Sequence, residues 1–210
     1  MSFPFLLFRR PILVRLNNGL KFYVANFTDV WVLKEIVLER EYEQLTTVKK
    51  GDLVIDIGAG IGDFSIIAGK NAGKVYAYEP DENRIDLIKE NLKINGCKNI
   101  EINTQKVQSL NEVFAPKGIE HCDFLKIDCE GCEYTIFKNT NKSYLNKIGF
   151  IAMEVHFFNE EMKKQYKELI SLLTAYFQIK EVSHAVSPRV GLVFAYSEPK
   201  GLIYRISDSL

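Results

Sequence analysis

From residue 50 onward, short apolar segments alternate with segments of helical periodicity. The apolar segments, which predict strands, are DLVIDIG, KVYAYEP, NIEINTQ, DFLKID and IGFIAMEVH. Segments such as DENRIDLIKENLKING and EEMKKQYKELISLLTAYF place apolar residues at helical spacing. Strands that are apolar along their whole length are typical of a parallel sheet covered by helices on both faces. The sequence therefore predicts an α/β fold with a mostly parallel sheet.

Both ends of the chain predict antiparallel strands. ILVRL and LKFYV flank Asn17-Asn18-Gly19, a turn sequence that favours a hairpin. Thr28-Asp29 then predicts the start of an amphipathic helix over VWVLKEIVLEREYEQL. Near the other end, FQIKEVSH and VGLVFAYS predict a second hairpin with its turn around Pro188. We expect residues 1–49 to form a hairpin-and-helix extension and residues 50–210 to form one globular unit.

Composition and charge restrict the possible partners. The chain has 210 residues with 27 basic and 27 acidic side chains, so its formal net charge is +0. Without a global basic field, we expect no nucleic-acid partner. The sequence shows no transmembrane segment and no export signal, so we expect a cytoplasmic protein whose four cysteines are reduced thiols.

A glycine-rich segment, VIDIGAGIGDF (54–64), lies between a predicted strand and a predicted helix. Glycines allow a sharp turn and the close approach of a ligand, and the start of the helix offers free N–H groups. Dinucleotide-binding folds need a further glycine at the position of Asp63, whose carboxylate would repel a pyrophosphate. The spacing instead resembles the first motif of S-adenosylmethionine-dependent methyltransferases, in which an acid precedes the first glycine by two residues, as Asp56 does here.

An acid ends the second predicted strand, one helix-length crossover after the glycine loop. Glu79 can accept hydrogen bonds from both hydroxyls of a ribose, or it can simply cap the helix that begins after Pro80. Together with the glycine loop, it favours a cofactor that carries a nucleoside.

Four segments together resemble the FkbM family of S-adenosylmethionine-dependent methyltransferases. They are GDLVIDIGAGIGDFSI (51–66), VYAYEP (75–80), DFLKIDCEGCEYTIF (123–137) and AMEVH (152–156). The resemblance implies a Rossmann-like class I methyltransferase with a seven-stranded sheet whose last strand is antiparallel. It also implies S-adenosyl-L-methionine as cofactor and methylation of a hydroxyl on a small molecule, sugar or glycolipid.

The sequence departs from the pattern of this family at two places. Many members have asparagine at the position of Gly60, and the third strand is not followed by the acid that often binds the adenine amine, so Gln105 is the candidate there. The predicted cofactor-binding residues are Asp56, Gly58, Ala59, Gly60, Gly62, Glu79, Pro80, Gln105 and Asp128.

Three polar residues near the ends of the fourth and fifth predicted strands are the candidate catalytic groups: Asp128, Glu130 and His156. His156 is the first candidate for the general base because an ordinary histidine titrates near pH ~6.5, and Glu130 is the second. The same residues could bind a hard divalent ion, which we do not favour, so no metal site is predicted. Glu154 lies two residues before His156 and can orient it.

Two alternatives to a methyltransferase enzyme stay open, and one of them, a redox or zinc protein, is suggested by the CxxC pair in FLKIDCEGCE (124–133). A structural zinc needs four ligands, and Cys97 and Cys122 form no second pair, while redox chemistry at Cys129 and Cys132 remains an alternative. A catalytically silent methyltransferase-like binding module is the other. We consider the acids that follow Lys126, which are Asp128, Glu130 and Glu133, to be the functional residues of this segment. The sequence leaves open whether they hold substrate, take a proton or bind an ion.

Overall fold

The structure, a computed structural model, describes residues 7–183 and 189–197. A two-stranded antiparallel sheet comes first, formed by β1 (Leu7–Arg15) and β2 (Lys21–Asn26). Gly19 has a φ of +86°, which the left-handed turn between the two strands requires. The N-terminal hairpin is therefore confirmed.

The helix predicted after this hairpin is present, but it ends earlier than predicted. A short helix α1 (Phe27–Leu33) begins at Asn26, whose side chain accepts a hydrogen bond from the backbone N–H of Asp29. The chain then widens into a π-helical turn (Lys34–Leu38) and reaches Arg40 in the left-handed conformation, with a φ of 53°. This residue ends the helical path, and a 3₁₀ turn (Glu41–Glu43) follows.

A seven-stranded sheet forms the centre of the molecule, in the order β5-β4-β3-β6-β7-β9-β8. Its strands are β3 (Leu53–Ile57), β4 (Lys74–Tyr78), β5 (Ile100–Asn103), β6 (Cys122–Ile127), β7 (Ile148–His156), β8 (Gln178–Ser183) and β9 (Val190–Tyr196). Strands β3 to β7 pair in parallel, whereas β9 pairs antiparallel with both β7 and β8. This is the predicted sheet, and the turn expected around Pro188 lies outside the described residues.

Helices connect the strands and cover the sheet on both faces. They are α2 (Asp63–Gly69), α3 (Glu82–Ile94), α4 (Asn111–Lys117), α5 (Glu133–Asn139) and α6 (Glu160–Leu173). Neighbouring residues of a strand enter opposite cores: Val54 and Phe124 pack on one face, and Ile55 and Leu125 on the other. This double burial is why the strands are apolar along their whole length. Among the described residues, no helix is long and apolar enough to cross a membrane.

The N-terminal segment packs against the main sheet and against α3. Phe22 and Leu33 belong to the same buried core as Val54. One asparagine of α3 and the residue that caps its C-terminus bond to the backbone of β2: Asn91 exchanges hydrogen bonds with Tyr23, and the C-cap residue Asn95 exchanges them with Lys21. The division at residue 49 stays a prediction.

Candidate active site

A cavity of about 420 Å³ lies at the carboxyl end of the sheet, where the chain order reverses between β3 and β6. Ligands of open α/β folds bind at this position. Seven of the predicted residues line it: Gly58, Gly60, Glu79, Pro80, Gln105, Asp128 and Glu130. Four others lie beside or behind it: Asp56, Ala59, Gly62 and His156. The N-terminal segment contributes further lining through residues of α1, such as Asp29 and Val32.

The glycine loop follows β3 and passes very close to the end of β6. Gly58, Gly60 and Gly62 all have positive φ, at 81°, 57° and 83°. A Cβ atom on Gly58 would lie 1.7 Å from the carbonyl oxygen of Asp128, whereas one on Gly60 would meet nothing closer than 3.7 Å. Gly58 is therefore required by the neighbouring strand end as well as by the turn.

Glu79 follows β4 and is held in one orientation by backbone N–H groups. Its Oε2 accepts a hydrogen bond from Gly60 N at 2.9 Å, and its Oε1 accepts one from Asp81 N at 2.9 Å. The pKa of this carboxyl is raised, because burial outweighs the two hydrogen bonds, which lower the pKa. Each oxygen keeps a lone pair, so the carboxylate can still accept hydroxyl hydrogen bonds from the cavity.

A fully buried lysine, Lys126, lies beneath the glycine loop. Its Nζ donates a hydrogen bond to the carbonyl of Gly58 at 2.7 Å and pairs with Asp56 at 3.2 Å and Asp128 at 3.9 Å. Burial disfavours its charge, but these carboxylates outweigh burial and raise its pKa. Asp56 also accepts a hydrogen bond from Ser65 Oγ at 2.6 Å, so its side chain supports the loop from behind.

His156 ends β7 with its side chain only 3% exposed. Its Nδ1 lies 3.3 Å from the buried carboxylate of Glu133, which also accepts the backbone N–H of His156. Its Nε2 faces Glu154 at 3.4 Å and Glu130 at 3.5 Å. Burial disfavours the charged imidazole, but hydrogen bonds with Glu133 and Glu154 and the nearby Asp128 raise its pKa to about 10.

Tyr42, from the 3₁₀ turn, joins the two neighbouring strand ends. Its hydroxyl lies 2.9 Å from Asp128 Oδ2 and 3.2 Å from Glu154 Oε2, and its ring lies under the ammonium of Lys126. Sequence reasoning missed this residue because the predicted continuous helix gave Tyr42 no special place. The left-handed Arg40, which sets the position of the turn, has no clear signal in the sequence.

The loop between β6 and α5 carries Glu130, which has a left-handed φ of 56° although it is not glycine. Such conformations cost free energy and concentrate at functional sites. Its side chain is 79% exposed and lines the cavity. Partial desolvation by the surrounding protein raises the pKa of this carboxyl group, and the neighbouring His156 opposes the rise.

The expectation that all four cysteines are reduced is wrong. Cys129 and Cys132 are joined by a disulfide, whereas Cys97 and Cys122 are free. The CxxC spacing brings the two Cα atoms within 5.4 Å of each other, which is inside the range that a disulfide needs. Bonded sulfurs do not ligate zinc, so this pair does not form the zinc site considered above.

The fold and the cavity at the switch point define a class I S-adenosylmethionine-dependent methyltransferase. A TRM5/TYW2 methyltransferase domain model matches residues 13–126, and a methyltransferase FkbM domain model matches residues 98–179. The first match covers more than half of the chain, so the chain belongs to the TRM5/TYW2 methyltransferase domain family. The resemblance to the FkbM family is also confirmed, over its part of the chain.

Curated relatives and solved structures agree with this class. The chain is 44% identical over 70 residues to an uncharacterized protein of Methanocaldococcus jannaschii, covering 30% of this chain and 27% of that protein. It is 35% identical over 86 residues to the tRNA (guanine(37)-N(1))-methyltransferase Trm5b of the same organism, covering 41% and 25%. The chain thus spans about a quarter of the length of these relatives. Among solved structures, M. jannaschii TYW2 in complex with AdoMet matches with a TM-score of 0.56 and 16% identity, covering 89% of this chain and 85% of that one.

The exclusion of nucleic acid as a partner is wrong. The matches include Trm5b and a 23S rRNA (uracil(1939)-C(5))-methyltransferase of Legionella pneumophila, which is 26% identical over 107 residues, covering 51% of this chain and 23% of that protein. Net charge is a sum over the whole chain and does not describe any local surface. A zero sum was therefore too weak a basis for excluding nucleic acid.

Proposed function

We propose that the chain transfers the methyl group of S-adenosylmethionine to an oxygen nucleophile, a hydroxyl group of its acceptor. The observation that carries this proposal is the exposed carboxylate of Glu130 beside the cavity. A carboxylate within reach of an acceptor hydroxyl can take its proton, and such general-base catalysis contributes about 10²–10⁴-fold to the rate.

The backbone of the glycine loop and the carboxylate of Glu79 would hold the cofactor. The fixed orientation of Glu79, with its remaining lone pairs at the strand end, fits the two hydroxyls of a ribose. Gln105, which follows β5, lines the cavity and remains our candidate for binding the adenine. Asp56, which is fully buried, would act through the loop and Lys126.

Geometry favours Glu130 over His156 as the base. Both ring nitrogens of His156 face carboxylates, and its side chain is nearly fully buried, so it offers no open nitrogen to an acceptor. The role of His156 would then be to position Glu130 and Glu154 through Nε2, while Nδ1 faces Glu133.

The reaction balances without another reactant. When bound, S-adenosylmethionine supplies a methyl carbon that is activated by the adjacent sulfonium. The acceptor oxygen would form the new C–O bond as the C–S bond breaks with its electron pair going to sulfur, and Glu130 would take the acceptor proton. The fixed strand ends would align the acceptor for this in-line displacement.

RNA is the acceptor class that the matched relatives support, through the printed substrates of Trm5b and of the rRNA methyltransferase. A ribose hydroxyl of RNA would satisfy both this support and the oxygen chemistry proposed above. Methylation of an RNA base is the second candidate function, because the substrate of Trm5b is a guanine ring nitrogen.

The test is incubation of the protein with methyl-labelled S-adenosylmethionine and separate tRNA and rRNA fractions, followed by digestion to nucleosides and mass spectrometry. We expect label on ribose and a rate that is ~10²–10⁴-fold lower in Glu130→Gln. The exposed Glu160→Gln on α6 serves as the matched control. Label on a base would replace the first candidate with the second. Failure to bind S-adenosylhomocysteine in calorimetry would reject both.

A further inference from the structure

Three side chains converge beside the cavity from the ends of β6 and β7: Asp128, Glu154 and His156. One ligand atom from each lies within 4.8 Å of the other two. Ligands of one divalent ion at ~2.1 Å lie about 3 Å apart when adjacent and about 4.2 Å apart when opposite, so each atom would have to move inward by at most about 1 Å to bind a single ion. Tyr42 already holds the two carboxylates together through its hydroxyl.

The environment of the imidazole supplies an independent observation. Glu133 has a fully buried side chain, and one of its oxygens lies 3.3 Å from Nδ1 of His156. A carboxylate on one ring nitrogen fixes the tautomer and directs the other nitrogen outward, as is usual for histidines that bind metals. Here the other nitrogen is Nε2, which faces Glu154 at 3.4 Å.

The charge around these atoms also favours a cation. Four carboxylates surround the imidazole: Asp128, Glu130, Glu133 and Glu154. The ammonium of Lys126 lies 3.9 Å from Asp128 but is closer to Asp56, at 3.2 Å, and donates its hydrogen bond to the glycine loop. The four carboxylates therefore outnumber the two cationic groups at the cluster, Lys126 and His156.

We propose that Asp128, Glu154 and His156 form a binding site for one divalent cation of the Mn²⁺ kind, with Glu133 as the positioning residue for the imidazole. Two carboxylates and one imidazole form a mixed oxygen and nitrogen donor set that suits such an ion. The ion would bind the acceptor oxygen and lower the pKa of its hydroxyl next to Glu130. This role rests on the proposed function, whereas binding of the ion is testable without turnover.

The experiment is calorimetric titration of the chelator-treated full chain with Mn²⁺, and electron paramagnetic resonance of the bound ion. We expect one Mn²⁺ per chain, a loss of at least tenfold in affinity for the near-isosteric Glu154→Gln, and a loss of ~10–100-fold for Glu133→Gln. Glu160→Gln is the control and should bind as the wild type does. His156→Ala should abolish nitrogen coupling from the imidazole in the resonance spectrum.

Two results would overturn the metal site: no Mn²⁺ binding at millimolar concentration, or unchanged affinity in Glu154→Gln with an unchanged melting temperature. Titration of the same samples with S-adenosylhomocysteine separates this inference from the proposed function. Binding of S-adenosylhomocysteine without Mn²⁺ would reject the metal site alone. Binding of Mn²⁺ without S-adenosylhomocysteine would reject the methyltransferase function of the cavity and leave the ion site standing.

Discussion

Replacing Gly58 with alanine tests how the glycine loop is built. The added Cβ would lie 1.7 Å from the carbonyl oxygen and 2.7 Å from the carbonyl carbon of Asp128, and both atoms belong to the backbone. The left-handed φ of 81° costs an alanine roughly 1–2 kcal/mol, and overpacking against a rigid neighbour costs roughly 1–3 kcal/mol more. We expect Gly58→Ala to lower the free energy of unfolding by roughly 2–5 kcal/mol, near the upper end because backbone cannot rotate away.

Gly96→Ala is the matched control, because Gly96 has a φ of 67° and nothing lies within 4 Å of the added Cβ. This variant should lose only the conformational part, roughly 1–2 kcal/mol. Urea denaturation followed by circular dichroism measures both values, and calorimetry with S-adenosylhomocysteine shows whether Gly58→Ala also disturbs the cavity. Equal denaturation midpoints for the two variants would refute the close approach of Gly58 to the end of β6.

Further predictions concern buried charge and the cofactor. Burial raises the pKa of Asp63 to about 7, above the ~3.9 of an unfolded chain, so the folded state holds the extra proton and stability falls as the pH rises between these values. Asp63→Asn should remove this fall in stability, which is worth up to about 4 kcal/mol. An unchanged pH profile of the melting temperature would contradict the raised pKa of Asp63. Lys126→Met leaves Asp56 with an unpaired buried charge and should destabilise the fold by about 3–5 kcal/mol in urea denaturation; a loss below about 1 kcal/mol would show that the pair is dispensable. Glu79→Gln should weaken S-adenosylhomocysteine binding about tenfold or more in calorimetry, and unchanged affinity would remove Glu79 from the ribose site.

The sheet was predictable because its signals are local. An apolar strand, a glycine or aspartate boundary and an amphipathic helix each occupy a short segment, as in VYAYEP and the helix capped by Asp81. The break of the N-terminal helix was not predictable in this way. The apolar spacing of Val32, Leu33 and Ile36 continues beyond the break to Leu45, but Arg40 adopts a left-handed conformation at a position where the sequence has no glycine.

The candidate site shows the same distinction between local and distant signals. Asp128 and Glu79 could be placed because the ends of parallel strands meet at one edge of the sheet. The contacts of Tyr42 with Asp128 and Glu154 join residues 86 and 112 positions apart in the chain, and no spacing rule reports such pairs. The suggestion that His156 is the base came from its ordinary titration range, which the carboxylates around it change.

The two asparagines at the C-terminal end of α3 that bond to β2 have a consequence for association between chains. A free strand edge offers alternating N–H and C=O groups to any other extended chain and is a site of aggregation. A side-chain amide has the same donor and acceptor as a peptide group, so Asn91 and Asn95 complete this edge at Tyr23 and Lys21 as a further strand would. The amide side chains thereby protect the edge at these two residues from mispairing without the addition of another strand.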